Sequence, residues 1–158
     1  MQSLFPAAEA LAAAEGEKEA GAEHLILASL DFREGSARRV FERVGGDPDQ
    51  FRSAVEAQHA AALRSIGIEN DGEAIDRQLP PLPDKSRGVY HSAPSARDVF
   101  PEVVKLVQQD KSRLSGAYIL LAASQMQYGT TARALEAMGI DRRDLATAAR
   151  AEVDAFNP

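Results

Sequence analysis

An acid and an imidazole stand together at the start of the most apolar stretch of the chain, as Glu23 and His24 before Leu25, Ile26 and Leu27. A carboxylate at a helix start can pair with the cationic group of a ligand, while free backbone N–H groups of the first turn donate to an anion. The helix dipole also favours Glu23 as an ordinary first-turn acid, so both interpretations stay open. We interpret His24, on an apolar helix, as a packed or hydrogen-bonded histidine.

The other side chains with catalytic potential lack the spacing that catalysis requires. The three histidines, His24, His59 and His91, form no H-x-x-x-H or H-E-x-x-H pattern, so we expect no metal site. Ser92 and Ser115 lie in no G-x-S-x-G context. Cysteine is absent, which excludes a thiol nucleophile and a disulfide framework. We therefore expect a protein that is not an enzyme and that needs no cofactor.

A repeat organises the chain around these residues. Segment 21–46 returns as segment 115–140 at a shift of about 94 positions. The matched pairs include Leu27 with Leu121, Gly35 with Gly129, Arg39 with Arg133, Gly45 with Gly139, and Asp47 with Asp141. Apolar residues recur at helical spacing in both copies. These patterns predict an all-α fold in which two pseudo-symmetric four-helix repeats pack into one domain.

The first two helices of each repeat differ in character. The first is marked by a Phe-Pro pair in both copies, and we expect Pro6 and Pro101 to lie in a first turn, where proline is tolerated. The second helices are predicted over 22–32 and 116–127, and they are apolar enough to be central.

The third and fourth helices are delimited by glycine and aspartate. Gly45 and Gly139 are predicted to stop the third helices, because glycine tolerates the left-handed conformation that ends many helices. Asp47 and Asp141 follow as predicted N-caps of the fourth helices. Each copy is therefore expected to contain four helices.

The pattern dissolves between the two copies. We predict the first repeat over 1–64, a proline-containing linker over 65–94 and the second repeat over 95–158. The prolines of the LPPLP run at 79–83 favour an extended connector, since proline lacks a backbone donor and fixes φ.

Composition excludes several classes of partner. The net charge of −6 opposes binding to a phosphate backbone, so no nucleic acid is expected. No segment approaches the roughly 20 uninterrupted apolar residues of a membrane span. The first residues lack the basic start of a signal peptide. A cytoplasmic, monomeric protein is the expectation.

Three segments resemble the amino-terminal domain of Clp-type AAA+ unfoldases. GAEHLIL at 21–27 resembles its GTEHILL signature, and GSARRVF at 35–41 resembles the start of the helix that follows. APSARDV at 93–99 is similar to the T-P-x-A-x-x-V opening of its second repeat. The chain contains no G-x-x-x-x-G-K-[ST] phosphate loop, so we expect a recognition domain that stands without the motor.

The resemblance implies a binding module that docks a Clp-type unfoldase, an adaptor or a substrate. Some family members recognise phosphorylated arginine through the Glu of the GTEH segment. The residues of this chain that match in the first repeat are Ala22, Glu23 and His24. The corresponding second-repeat residues are Gly116, Ala117 and Tyr118, where no acid is present. We therefore expect a degenerate second site, and at most one of two sites to bind ligand.

A second family surface lies where the starts of the two repeats meet, and in some members it takes peptidic macrocycle antibiotics. The candidate residues for this groove are Phe5, Tyr90, Ser92, Arg97 and Phe100, although the aromatic ones also suit a core. Two functions follow as alternatives. The protein is an accessory or competitor in regulated proteolysis, or it is a decoy that sequesters an antibiotic directed at the unfoldase.

Overall fold

The computed structural model describes residues 4–67 and 92–156, and within these ranges it contains eight α-helices and no strand. The helices are α1 (Leu4–Ala14), α2 (Ala22–Leu30), α3 (Ser36–Arg43), α4 (Pro48–Ser65), α5 (Pro94–Gln109), α6 (Gly116–Ala123), α7 (Thr130–Ala137) and α8 (Arg142–Phe156). The predicted all-α class is confirmed. The division into two repeats joined by a linker over 65–94 stays a prediction, because most of that segment lies outside the described residues.

Helices α2 and α6 form the centre of the fold. Every residue of both helices is buried, and the two helices pack against each other. A helix that is apolar on all sides has no face to offer water, so it is stable only inside a core. Each fully buried leucine or isoleucine there stabilises the fold by about 1.5–3 kcal/mol.

Both central helices end earlier than predicted. The hydroxyl groups of Ser29 and Ser124 each donate to the carbonyl three residues before them, at 2.6 Å in both cases. Serine hydroxyl groups compete in this way with backbone donors, which weakens the last helical turn.

The two repeats interlock. Helix α1 packs on α2 and α5 on α6, but α3 packs mainly on α8 and α4 mainly on α7. The third helix of each repeat therefore covers the fourth helix of the other. This exchange joins the repeats into one core, and it brings side chains of α4 and α7 close to the start of α2.

The third helices end in the same way in both repeats. Gly45 and Gly139 each have φ of +73°, in the left-handed region where glycine carries no steric cost. The N–H that follows each glycine donates back to the carbonyl of Phe41 (2.9 Å) or Leu135 (3.0 Å). These bonds define the Schellman motif, and the predicted stops are confirmed.

The fourth helices begin at the predicted aspartates. The Asp47 carboxylate accepts a hydrogen bond from the Asp49 N–H at 2.9 Å, and the Asp141 carboxylate accepts one from the Arg143 N–H at 2.7 Å. Each carboxylate thereby satisfies a first-turn donor that has no partner within the helix.

The prediction that Pro101 lies in a first turn is wrong. Helix α5 begins at Pro94 and continues through Pro101, which costs one intrahelical hydrogen bond. The buried stripe that includes Val99 and Val103 runs along one face on both sides of the proline. Packing of this stripe against α6 maintains the helix despite the proline, whereas Pro6 does lie in the first described turn of α1.

Candidate functional site

His24 is a buried, hydrogen-bonded residue of the first turn of α2. Its Nδ1 accepts a hydrogen bond from the Gly21 N–H at 2.9 Å, and its Nε2 lies 3.0 Å from Oε2 of Glu15. Because Nδ1 is an acceptor, the proton of the neutral ring is on Nε2, which donates to Glu15. The structure agrees with the interpretation of His24 as a packed histidine.

Glu23 points inward, although it occupies the first turn of a helix. Its side chain is 10% exposed, and its Oε1 lies 3.6 Å from Nδ1 of His24 and 3.7 Å from Nε2 of His59. The Thr131 hydroxyl of α7 lies 3.5 Å from the other oxygen, Oε2. The carboxylate thus faces groups from α2, α4 and α7.

The same carboxylate folds back over the residue that caps α2. A Cβ atom at Gly21 would lie 2.6 Å from both carboxylate oxygens of Glu23. A side chain at position 21 would therefore push the Glu23 carboxylate out of its inward position, although the Gly21 φ of −95° is itself open to any residue. The glycine of the GAEHLIL segment permits the inward position of the acid.

A second carboxylate, which the sequence did not single out, completes the group. Glu15 follows α1, its side chain is 10% exposed, and its Oε2 lies 3.5 Å from Nδ1 of His59. Its other oxygen, Oε1, is buried and has no hydrogen-bond partner among the residues that the structure describes. We call Glu15, Glu23, His24 and His59 the acidic cluster.

The acidic cluster does not have the geometry of a metal site. Within residues 4–67 and 92–156, no group of three or more histidine or acidic side chains is arranged to hold a metal ion. The tautomer of His24 gives a reason, because a protonated Nε2 has no lone pair for a metal. The cluster is suited instead to an organic cation with N–H donors.

The backbone donors at the start of α2 are partly used. The Ala22 N–H donates to the Ser95 hydroxyl of α5 at 3.0 Å. This neutral contact joins the first repeat to the start of the second. Ala22, Glu23 and His24 are thus placed together around one helix terminus.

The equivalent helix terminus in the second repeat is closed by a carboxylate. Glu34 accepts hydrogen bonds from the Gly116 N–H with Oε1 and from the Ser36 N–H with Oε2, both at 2.7 Å. The Ala117 N–H donates to the Ser36 hydroxyl at 2.9 Å. An internal anion therefore occupies the starts of α6 and α3.

Tyr118 takes the place of His24 in the second repeat and is also buried. Its ring is fully enclosed, and its hydroxyl donates to Asp110 at 3.0 Å. This hydrogen bond ties α6 to the end of α5. Tyr118 therefore has a packing role in the structure.

The residues predicted for the groove between the repeats are only partly brought together. The rings of Phe5 and Phe100 pack edge to face, with centroids 4.8 Å apart and an interplanar angle of 73°. Both rings are half-buried, Arg97 is exposed and Ser92 is buried. Tyr90 lies outside the described residues.

A further pair of clefts contains none of the predicted site residues. Tyr128 is 83% exposed and lines two surface clefts of about 420 and 380 Å³. The larger cleft carries both signs of charge, including Arg133 and Asp141. The smaller cleft carries Asp98 and Glu102. No sequence pattern indicated these clefts, since they depend on how α5, α6 and α7 meet.

Two ion pairs between a buried carboxylate and half-exposed arginines join the repeats away from the acidic cluster. Glu152 of α8 accepts hydrogen bonds from Arg39 (2.8 Å) and Arg43 (2.5 Å) of α3. Burial raises the pKa of Glu152, but the hydrogen bonds and positive charges of the two arginines outweigh it, so the pKa lies below its ordinary value. The contacts of Glu152 with Arg39 and Arg43 stabilise the interlocked arrangement of α3 and α8.

None of the helices in the described ranges combines the length and the apolar character needed to cross a bilayer.

Comparison with known families gives one match over most of the chain. The family model of the Clp repeat (R) N-terminal domain matches residues 1–138. The chaperone protein ClpB of Agrobacterium fabrum is 28% identical over 154 residues, which cover 98% of this chain and 17% of the relative. The chloroplastic chaperone protein ClpC1 of Oryza sativa subsp. japonica is 33% identical over 67 residues, or 42% of this chain and 7% of the relative. The chain thus spans less than a fifth of either relative.

Two solved structures share the fold. The N-terminal domain of the chaperone ClpD from Arabidopsis thaliana superposes with a TM-score of 0.59 and 18% identity, covering 96% of this chain and 92% of that domain. The Hsp104 N-terminal domain from Candida albicans gives a TM-score of 0.60 at 18% identity, covering 93% and 84%. At this identity the likeness shows the fold alone.

Proposed function

The chain belongs to the Clp repeat N-terminal domain family, and we propose that it is a binding module without chemistry of its own, which recognises protein substrates or adaptors. The observation that carries the proposal is the inward Glu23 carboxylate at the start of α2. It is one of two carboxylates in a buried cluster, and one acceptor of that cluster, Oε1 of Glu15, has no hydrogen-bond partner within residues 4–67 and 92–156. Such a cluster favours a ligand that brings its own N–H donors.

We further propose that the ligand of the first repeat is an arginine side chain phosphorylated on its guanidinium. The guanidinium pairs with Glu23, and the phosphoryl group takes the first-turn N–H of Ala22. That N–H donates its hydrogen bond to the neutral Ser95 hydroxyl. A phosphoryl oxygen replaces this acceptor at a modest cost in free energy, because the hydrogen bond that it displaces is not charge-assisted. His24 supports the site by fixing the turn at Gly21.

The second repeat is proposed not to bind this ligand. Its equivalent N–H, on Gly116, is held by the charged Glu34 carboxylate, and position 117 is alanine where the first repeat has Glu23. A charge-assisted hydrogen bond is about twice as strong as a neutral one, so an incoming phosphoryl group has to displace a stronger competitor there. One ligand per chain is the expected stoichiometry.

In the cell, this module acts as an accessory or a competitor in regulated proteolysis by binding substrates or adaptors of an unfoldase. A pull-down tests this role: the immobilised protein is offered the same protein mixture with and without phosphorylation on arginine. Retention of the phosphorylated form alone supports the proposal. Equal retention of both forms, or of neither, contradicts it.

A second candidate function is a decoy that sequesters a peptidic macrocycle antibiotic. The half-buried Phe5 and Phe100 pair at the junction of α1 and α5 favours it, because two part-exposed rings offer apolar contact area beside the exposed Arg97. A titration with such a macrocycle tests this candidate, with Phe100→Ala as the variant. Loss of binding in the variant supports the decoy function, and an absence of binding to the wild type excludes it.

A further inference from the structure

His59 lies between the two carboxylates of the acidic cluster. Its Nδ1 lies 3.5 Å from Oε2 of Glu15, and its Nε2 lies 3.7 Å from Oε1 of Glu23. A neutral imidazole has a lone pair on one nitrogen, which would then face a carboxylate. An imidazolium has a proton on both nitrogens and suits this position on both sides.

His24 does not supply this positive charge. Its Nδ1 accepts a hydrogen bond from the Gly21 N–H, so protonation of that nitrogen would break the bond. With His24 neutral, the cluster has a formal charge of −1 when His59 is protonated and −2 when it is not. His59 is therefore the side chain of the acidic cluster whose position suits a cation.

The groups that face His59 come from three parts of the fold. Glu15 belongs to the connection between α1 and α2, and Glu23 and His24 belong to α2. Helix α7 contributes the neutral hydroxyl of Thr131 on the far side of Glu23. Loss of the His59 proton consequently leaves two buried carboxylates facing each other without a cation, which is unfavourable in a low dielectric.

We propose that His59 is an internal cation that occupies the pocket of a ligand's guanidinium group, and that the ligand displaces it. This inference rests on the proposed function, and it adds Glu15 to the residues that contact the ligand. A guanidinium presents five N–H donors in one plane, enough to span both carboxylates and to reach Oε1 of Glu15, which has no partner in the described part of the chain. An imidazolium presents two donors and leaves that oxygen unsatisfied.

The position of His59 permits such an exchange without disturbing the core. Its side chain is 21% exposed, and the end of α4 that follows, 61–65, is exposed. The buried anchors of α4, Phe51 and Val55, lie in the preceding turns. Rotation of the imidazole toward solvent therefore opens the pocket while α4 stays packed.

The exchange makes ligand binding depend on pH. At low pH, protonated His59 competes with the guanidinium for the same carboxylates, and at high pH the neutral ring does not. The affinity is therefore expected to rise with pH.

Calorimetric titration with phosphoarginine at pH 5.5, 6.5 and 8.0 tests the inference. The wild type should bind more weakly at pH 5.5 than at pH 8, whereas His59→Gln should show a smaller change. A change in the protonation of the ligand affects its affinity for both proteins equally. The ratio of the two affinities at each pH therefore reports the effect of His59 alone. Arg64→Gln, which removes an exposed cation from the same helix, should keep the wild-type profile.

Two results separate this inference from the proposed function. Binding with the same pH profile in the wild type and in His59→Gln overturns the role of His59 and leaves the proposed function standing. An absence of binding to either protein at pH 8 overturns both. A second readout compares the same two proteins: at pH 6, binding to the wild type should release more protons than binding to His59→Gln, measured as a dependence of the heat on the buffer. An equal dependence in both proteins contradicts the exchange.

Discussion

Glu34 Oε1 accepts a hydrogen bond from the Gly116 N–H at 2.7 Å, and this contact joins the start of α3 in one repeat to the start of α6 in the other. The same carboxylate also accepts from the Ser36 N–H, so one side chain satisfies donors of two helices. Helix dipoles at both termini favour the negative charge. The first repeat therefore supplies, at the start of α6 in the second repeat, an anion of the kind that the first repeat is proposed to bind.

Substitution Glu34→Gln should destabilise the fold by about 1–2 kcal/mol, because a neutral amide forms weaker hydrogen bonds to two helix termini than a carboxylate does. Urea unfolding followed by circular dichroism measures the change. Glu42→Gln on the exposed side of α3 is the matched control and should stay within about 0.5 kcal/mol of the wild type. Equal stability of both variants would show that Glu34 is an ordinary surface acid.

Substitution Gly116→Ala should destabilise the fold by about 1–3 kcal/mol through overpacking. A Cβ atom there would lie 2.6 Å from the Cβ of Ala37, where α6 crosses α3. The double variant with Ala37→Gly should recover part of the loss, because it removes the clashing atom. Thermal unfolding of the single and double variants measures the effect. If the two substitutions destabilise the fold additively, the contact between positions 116 and 37 does not limit packing.

The ion pairs of Glu152 should make the free energy of unfolding depend on pH. Because Arg39 and Arg43 lower the pKa of Glu152 in the fold, its contribution is present above the pKa of an unfolded glutamate, about 4.3, and is lost as pH falls through the folded value. Glu152→Gln should therefore be less stable than the wild type at pH 7 by about 1–2 kcal/mol. The difference should shrink below about pH 4 in urea unfolding curves. A difference that stays constant from pH 7 to pH 3 would contradict this assignment.

The sequence predicts those features of the fold that depend on local chemistry. The left-handed glycines Gly45 and Gly139 and the caps Asp47 and Asp141 act within a few residues, and their residue types identify them. Pro101 was placed wrongly because a tertiary surface, the stripe packed on α6, overrides the local cost of proline.

The candidate site was predicted only in part for the same reason. Glu23 and His24 stand in a recognisable segment, whereas Glu15 and His59 join them through the packing of α1 and α4. No spacing along the chain relates Glu15 to His59, and neither residue interrupts a helical pattern in an unusual way. Contacts of this kind become visible only when the helices are placed in three dimensions.

The most direct test of the central claim is a calorimetric titration of the wild type and of Glu23→Gln with phosphoarginine at pH 8. Glu19→Gln, an exposed acid close in sequence, is the control. We expect saturable binding to the wild type and to the control, and a loss of roughly 10- to 100-fold in affinity for Glu23→Gln, since a hydrogen bond to a charged group contributes about 1.5–3 kcal/mol. Unchanged affinity in Glu23→Gln, or no binding to the wild type, would contradict the account.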